Sequence, residues 1–416
     1  MIDYVTALGR LLTHAVPLPA ESCPLADAAG RILAGNLVSP IALPSFDHAA
    51  MDGYALQTAG SLAPGSEHVV QGSQAAGDPA RRAGDGAWEI MTGARLPDGL
   101  DAVVAVERTE LLQARPDGTP LRIRLREALE TGCNVRRAGS DVASGERVLA
   151  AGTRIDPAQI MLLAALGVGR VEVARRPRVA IVCTGKELQS DPRQPLADGQ
   201  IYSSNGPYLQ AALAAAGAQV LSCETVDDTV TSYAEALQRA VTAAADLVVS
   251  TGAVSMGRYD FVPDTLRRLQ AEILFHKVAM RPGRPLLAAR LADGPLLVAL
   301  PGTPMAVAVG QRFFVTPLLR TMQGQGEEPV LHAILDTRQD PRPGIRHFLR
   351  AQLHLDDRGQ LHARIPAQQQ PFRIRPFAEA DAWVVLPEDA ADGSIGARVA
   401  VFGLEGGTPP LMAGPR

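Results

Sequence analysis

Lysine is nearly missing from this chain. Of 40 basic residues only Lys186 and Lys277 are lysines, and the remainder are arginines. This is a compositional drift toward arginine, and both surviving lysines fall beside candidate site loops. Aromatic residues are also scarce, at 4%, which favours a loop-rich, α/β-heavy protein whose cores are packed from small side chains. There is no large excess of charge: the formal net charge is −4, which argues against a general nucleic-acid or membrane-surface role. No apolar run approaches the length of a membrane-spanning helix, and the N-terminus lacks the basic-then-apolar pattern of a secretory leader. Cys23, Cys133, Cys183 and Cys223 form no CxxC pair and read as reduced structural thiols, so a soluble, cytoplasmic protein is expected. The histidines make no HExxH spacing, and no GxGxxG or P-loop sequence occurs, which leaves out the common zinc-protease, dinucleotide and P-loop chemistries.

What is present is 416 residues, 46% of them hydrophobic, enough for several globular domains. Helical spacing is expected at Tyr4–Leu12 and again at Leu25–Leu33. From residue 41 short β-like runs (Glu67–Gln71, Trp88–Met91, Ala102–Glu107, Leu121–Leu125) alternate with Gly, Asp and Pro turns, the rhythm of an inserted barrel or sandwich. A helix at Pro157–Leu166 and a strand at Arg170–Val173 follow. From Arg178 apolar strands alternate with helices, which predicts a parallel, doubly wound sheet. After the Gly324–Pro329 linker the alternation becomes β-like again. The expected domains are therefore 1–40 with 138–175 as a discontinuous mixed domain, 41–137 as an inserted β domain, 176–324 as a doubly wound α/β domain, and 325–416 as a barrel-like β domain.

The most suggestive stretch is Leu247-Val-Val-Ser-Thr-Gly-Ala-Val-Ser-Met-Gly-Arg-Tyr-Asp260. A buried strand empties into small and hydroxylated residues, Ser250, Thr251, Gly252, Ser255 and Gly257, that let the backbone approach a ligand and turn N–H groups toward an oxyanion. An ordinary βα turn is the plainer alternative. The loops at the carboxyl ends of a parallel sheet converge on one edge. Here they would gather Glu187, Asp228 and Asp260 around the Gly/Ser cradle, together with Pro301, Gly302 and Thr303. Carboxylates beside a phosphate site are the hard oxygen ligands that Mg²⁺ takes, whereas any one of them alone could be a helix cap. A further turn, His276 to Pro285, offers Lys277, Arg281 and Arg284 to an anion, or simply to solvent.

The order and spacing of these segments resemble the molybdopterin molybdenumtransferase family, also met as the E domain of gephyrin. Phe46-Asp-His-Ala-Ala-Met-Asp-Gly-Tyr-Ala55 resembles its FDxSAMDGYA, and Ile90-Met-Thr-Gly-Ala94 matches its IMTGA. Arg136–Asp141 resembles RxxGED, Thr184–Leu188 resembles TGDEL, and Gly199–Tyr202 begins GQIYD. Ser250–Asp260 resembles SGGVSxGxxD, and Leu300–Pro304 resembles LPGNP. The resemblance runs in order from residue 1 to about 410. It implies an elongated homodimer that takes an adenylylated molybdopterin and molybdate, inserts the metal into the dithiolene and releases AMP with Mg²⁺ present. By matched position, Glu187, Asp228 and Asp260 would bind Mg²⁺ and assist cleavage. Thr251, Gly252, Ser255 and Gly257 would hold the pterin's phosphate region, next to Pro301, Gly302 and Thr303, and Lys277 and Arg281 would contact molybdate or phosphate. Asp52, Thr92, Arg136, Arg137 and Asp141 would come across the dimer interface. Transient contact with the molybdopterin adenylyltransferase and with apo-molybdoenzymes is implied as well.

Several family positions are altered, and they cluster in the expected site. Lys186 stands where the family has Asp, Ser203 replaces an Asp, Ala253 a Gly, Thr303 an Asn, and Ser140 a Glu. The segment Gln368–Pro376 replaces a Gly/Ser-rich loop. Exchanging −1 for +1 at ~6 Å from an anion changes their interaction by roughly 5 kcal/mol at an effective dielectric near 20. If Lys186 faces the cleft, metal binding weakens and anion binding strengthens; if it faces solvent, little follows. Three readings stand: a working insertase, which the retained acids favour; a non-catalytic paralogue that binds the cofactor or its precursor and delivers it to a molybdoenzyme; and a scaffold that keeps only the dimer.

Overall fold

The computed structural model describes residues 1–255, 261–292, 294–389 and 393–406. Its centre is a six-stranded sheet built from β1 (Arg178–Thr184), β2 (Gln219–Val226), β3 (Leu247–Thr251), β4 (Glu272–His276), β5 (Leu287–Arg290) and β6 (Leu296–Leu300), in the spatial order β2-β1-β3-β6-β5-β4. Strands β1, β3 and β6 are buried almost throughout, as expected of strands covered on both faces. Their two-residue periodicity divides the cover into two cores. Val179, Ile181, Val249 and Val298 face one side, with Leu209 and Leu213 of α1 (Asn205–Ala215). Ala180, Val182, Val248 and Leu297 face the other, with Tyr233 and Leu237 of α2 (Val230–Thr242) and Leu266 of α3 (Val262–Arg268).

The sheet is mixed, not wholly parallel as the alternation predicts. β1, β2, β3 and β6 are mutually parallel, but β5 runs antiparallel to both β6 and β4. The cause is chain length. Only residues 291–295 separate β5 from β6, too few for the crossover that parallel neighbours require. Because β4 is reversed twice relative to β6, its carboxyl end returns to the same edge as those of the parallel strands.

The last helix of this unit, Pro304–Gly310 continuing through a π turn at Gln311–Val315 into Thr316–Met322, is almost wholly buried. Pro317 lacks the N–H that would close an α-helical bond to the Phe313 carbonyl. The hydroxyl of Tyr4 donates to that carbonyl instead, at 3.0 Å. The first helix, Tyr4–Leu12, is capped by Asp3, whose carboxylate accepts the Thr6 amide at 2.9 Å. Tyr4, Ala7 and Leu11 are part of the same core as β1, β3 and β6, so by packing this helix joins the doubly wound unit and not the 138–175 segment.

The helix expected over residues 25–33 does not form. Leu25–Asp27 makes one 3-10 turn, Gly30 takes a positive φ of 75°, and Ile32 and Leu33 then pair as isolated bridges with Arg154 and Val173. The remainder of the discontinuous unit pairs Ala20–Pro24 with Arg170–Ala174 and packs the helix Pro157–Ala165 against them.

Residues 48–136 hold a second six-stranded sheet, Ala102–Ala105, Gly53–Leu56, Ala87–Ile90, Glu67–Gln74, Pro120–Leu125 and Thr109–Ala114 in spatial order. Gly53 sits where a Cβ would fall 1.8 Å from the Val104 carbonyl oxygen, so only glycine allows this close strand approach. In the C-terminal region Arg346–Leu355, Leu361–Arg364, Leu331–Leu335, Arg398–Gly403 and Ala382–Leu386 close into a five-stranded barrel. The two-residue strand Met280–Arg281, in the connection between β4 and β5, adds to Arg346–Leu355 as an extra strand. The protein is thus a multidomain α/β molecule with a doubly wound domain, a discontinuous mixed domain, an inserted β unit and a C-terminal barrel. Among the described residues no helix is long and apolar enough to cross a membrane.

Candidate active site

The carboxyl ends of β1, β3 and β6 open into one cavity of about 280 Å³. Its lining includes Thr184 and Gly185 after β1, Asp228 after β2, Thr251, Gly252 and Ala253 after β3, and Gly302 and Pro304 after β6. Glu187 and the segment from Ile201 to Asn205 complete the wall.

The floor is made by close backbone approach. A Cβ on Gly252, whose φ is +96°, would lie 2.5 Å from Thr184 Oγ1 and 2.6 Å from the Thr184 carbonyl oxygen. One on Gly185, at φ +153°, would lie 2.8 Å from Glu187 Oε1. The Thr184 hydroxyl donates to the Thr251 carbonyl at 3.3 Å, tying the end of β1 to the end of β3, and Asn205 Nδ2 donates to the Gly302 carbonyl at 2.8 Å, tying the start of α1 to the β6 loop. The sequence predicts Gly252 as an N–H donor to a ligand. In the structure its amide is committed to the Leu300 carbonyl at 3.0 Å, and its contribution is the space a side chain would occupy. Ser250 is also turned away from the cavity: its hydroxyl pairs with the buried Tyr233 phenol at 2.9 Å, and burial pushes that phenol's pKa up, so the pair stays neutral.

Glu187 and Asp228 line the same cavity, as the convergence of strand ends requires. Asp228 is not a helix cap. That role belongs to Thr229, whose hydroxyl accepts the Ser232 amide at 3.1 Å. Asp228 instead accepts the backbone N–H of Lys186 at 3.2 Å. The Lys186 residue is exposed, and its side chain does not line the cavity. Asp260 and Gly257 lie outside the described residues. Ser255 is exposed and forms no part of the lining.

The cation turn is placed at the same edge but not in the cavity wall. His276, at the end of β4, bonds through Nε2 to the Val254 carbonyl at 3.0 Å, joining this turn to the β3 loop. Lys277 follows in a left-handed conformation, φ +69°. Arg281 is exposed on the added barrel strand. Pro301 and Thr303 flank Gly302 without lining the cavity, and the Thr303 carbonyl accepts the Ala306 and Val307 amides at the start of the last helix.

The remaining predicted residues form a second group around the inserted sheet. Asp52 accepts the Thr92 amide at 2.6 Å and the Thr92 hydroxyl at 2.9 Å, which together hold its carboxyl below the usual range. Arg137 pairs with Asp47 at 2.6 Å, while the amide of Ala138 holds the other Asp47 oxygen at 2.7 Å. Arg136 lies on the strand that pairs with His48–Ala49, and the Asp141 amide bonds to the Leu43 carbonyl at 3.0 Å. None of Asp52, Thr92, Arg136, Arg137 and Asp141 lines the cavity of its own chain.

Sequence reasoning missed Thr184 and Asn205 as site residues. The signal for Asn205 was available: Ser204-Asn205-Gly206-Pro207 is a helix start, and a helix that follows a strand's carboxyl-end loop begins at the site edge.

Comparison with known proteins matches nearly the full length of the chain. Family profiles match as the MoeA N-terminal region (domain I and II) at residues 2–167, a probable molybdopterin binding domain at 180–321, and the MoeA C-terminal region (domain IV) at 332–404. Molybdopterin molybdenumtransferase 2 of Mycobacterium tuberculosis is 36% identical over 394 residues, 92% of this chain and 94% of that protein. Molybdopterin molybdenumtransferase of Synechococcus elongatus is 32% identical over 93% of this chain and 96% of its own length. The crystal structure of the molybdopterin biosynthesis moea protein from Pyrococcus horikosii superposes with a TM-score of 0.81 at 29% identity, covering 98% of this chain and all of that one. With the cavity at the predicted sheet edge and identity at this level over nearly the full length, the chain belongs to the molybdopterin molybdenumtransferase family and is an enzyme of the transferase class.

Proposed function

We propose that this enzyme works in molybdenum cofactor biosynthesis by inserting molybdate into adenylylated molybdopterin, with Mg²⁺-dependent release of AMP. The observation that carries this reading is the pairing of Glu187 and Asp228 in one cavity with a side-chain-free floor at Gly185, Gly252 and Gly302. Oxygen donors of this kind suit Mg²⁺, which prefers carboxylates together with substrate phosphate over an all-protein cage. When bound, Mg²⁺ would neutralise charge on the phosphate oxygens during cleavage.

The chain's own contribution is positional. The Lys186 amide fixes one oxygen of Asp228, and Thr229 takes over the capping of α2, which leaves the second oxygen free to face the cavity. The missing Cβ atoms let a phosphate come close to the backbone. The first turn of α1, at the cavity edge, presents amides without intrahelical partners to negative charge. Lys277 and Arg281 stand on the same edge as cations for a second oxyanion, molybdate. Asp260 belongs to the metal set by its place in the motif.

Asp52, Thr92, Arg136, Arg137 and Asp141 support a homodimeric site, because their loops are ordered by internal hydrogen bonds yet serve no cavity in their own subunit. The pterin is the small-molecule partner, the molybdopterin adenylyltransferase and apo-molybdoenzymes are the transient protein partners, and the reaction is cytoplasmic.

The test is AMP release by the purified protein from adenylylated molybdopterin with Mg²⁺, with and without molybdate. Molybdate-dependent AMP release establishes the insertase. Tight pterin binding with no AMP release would replace this reading with the cofactor carrier.

A further inference from the structure

The C-terminal barrel carries a cluster of metal-ligating side chains remote in fold from the doubly wound domain. His354 and His362 lie on neighbouring antiparallel strands and are direct cross-strand partners. Asp336 follows the strand Leu331–Leu335, which pairs with the other side of Leu361–Arg364. His362 Nδ1 is 2.7 Å from Asp336 Oδ1, and His354 Nε2 is 3.5 Å from Asp336 Oδ2. One ligand atom from each of the three residues lies within 4.8 Å of the other two. Ligand atoms on a tetrahedral zinc ion with bonds of about 2.0 Å are roughly 3.3 Å apart, so this group has the required span.

A fourth residue completes the arrangement. Asp356 Oδ2 lies 3.6 Å from His362 Nε2, the ring nitrogen that faces away from Asp336. The turn holds this carboxylate in place: its other oxygen accepts the Arg358 amide at 3.0 Å and the Gln360 amide at 2.7 Å. A carboxylate on the far nitrogen of a histidine fixes the tautomer and ring orientation, and this pairing accompanies metal-bound histidine. A simple ion pair between His362 and Asp336 accounts for neither the second imidazole nor the second carboxylate. Two imidazoles and a carboxylate select a borderline cation such as Zn²⁺ over Mg²⁺, which takes oxygen.

We propose that Asp336, His354 and His362 bind one zinc-class divalent cation, with Asp356 orienting His362, and that the ion clamps three adjacent strands at one rim of the barrel. Without metal, His362 keeps its proton more firmly than an ordinary histidine because Asp336 accepts from it, and that proton is released when metal binds.

The experiment is a calorimetric Zn²⁺ titration of the full-length protein in excess Mg²⁺, which occupies carboxylate sites such as the catalytic cavity. Thermal unfolding with and without Zn²⁺, and Co²⁺ absorption in the visible, accompany it. The expected result is one Zn²⁺ per chain, a raised melting temperature reversed by chelator, and Co²⁺ bands of a four-coordinate site. Asp356→Asn should weaken binding about 10–100-fold, and His354→Ala, at a half-exposed position, should weaken it further. Absence of Zn²⁺ binding, or binding that persists undiminished in His354→Ala and in the His354→Ala/His362→Ala pair, overturns the proposal.

Discussion

The backbone amide of Lys186 donates to the carboxylate of Asp228 at 3.2 Å. What this position supplies to the site is therefore an N–H, which every residue except proline possesses. The Lys side chain, which replaces an acid in the family pattern, does not line the cavity. Lys186→Asp and Lys186→Ala should accordingly change Mg²⁺-dependent AMP release by less than about threefold, since the charge exchange is screened by solvent at an exposed position. Asp228→Asn keeps an acceptor for that amide but removes the charge, and AMP release should fall at least about a hundredfold, the scale of losing a positioned electrostatic group. A steady-state AMP assay on the three variants decides the matter, and a large effect of Lys186→Ala would place its ammonium in the reaction.

Gly252 and Ala253 are neighbours with opposite expectations. Gly252→Ala meets both a left-handed backbone and a 2.5 Å overlap with Thr184, so it should destabilise by about 2–5 kcal/mol, the sum of the two penalties. Ala253 already takes a positive φ of 47°, which explains why the family places glycine there. Ala253→Gly should be neutral or stabilising by up to about 1 kcal/mol, strain relief offset by chain entropy. Denaturant melts of both variants test the pair of signs.

Tyr4→Phe should cost about 1–3 kcal/mol, because it removes a buried hydrogen bond to the Phe313 carbonyl. Pro317→Ala restores a local N–H that can serve the same carbonyl. The loss in Tyr4→Phe should then be smaller in the Pro317→Ala background, and a double-mutant cycle reads the difference. Additive effects would dissociate the phenol from the proline.

Arg350 is 1% exposed and holds the Gln368–Pro376 segment by its carbonyls, donating to Arg373 at 2.6 Å and to Gln368 at 2.7 Å. That segment in turn reaches the site helix, where the Pro371 carbonyl accepts the Met305 amide at 3.0 Å. Arg350→Met should free the segment. Limited proteolysis should cut between residues 366 and 380 in the variant and leave the parent intact there; an unchanged cleavage pattern would show that the segment holds itself.

Much of this architecture was legible in the sequence because its signals are local. The apolar runs at 178–183, 247–250 and 296–300 read as covered strands and 219–224 as their neighbour, and the carboxyl ends of parallel strands converge, which put Glu187 and Asp228 together. The legible part stopped where partners are distant or where length decides. The reversal of β5 depended on five residues between two strands, a count that alternation alone does not weigh. Residues 25–33 kept helical spacing, but Gly30 and pairing with Val173, far along the chain, set the outcome. Ser250 and Gly252 looked like ligand contacts because their types are right; which way a hydroxyl points, and whether an amide is already engaged, follows from Tyr233 and Leu300. The histidine–aspartate cluster left no trace in spacing, since cross-strand register, not sequence interval, creates it.

The strand Met280–Arg281 gives the molecule a shared seam. Three residues separate the end of β4 from a segment stitched edge-on to Arg346 and His347, so the doubly wound sheet and the barrel have one stretch of backbone in common. A fragment cut near residue 324 would therefore not be a smaller enzyme. It would carry a bare pairing edge beside its cation turn, and in solution that edge would seek another copy of itself.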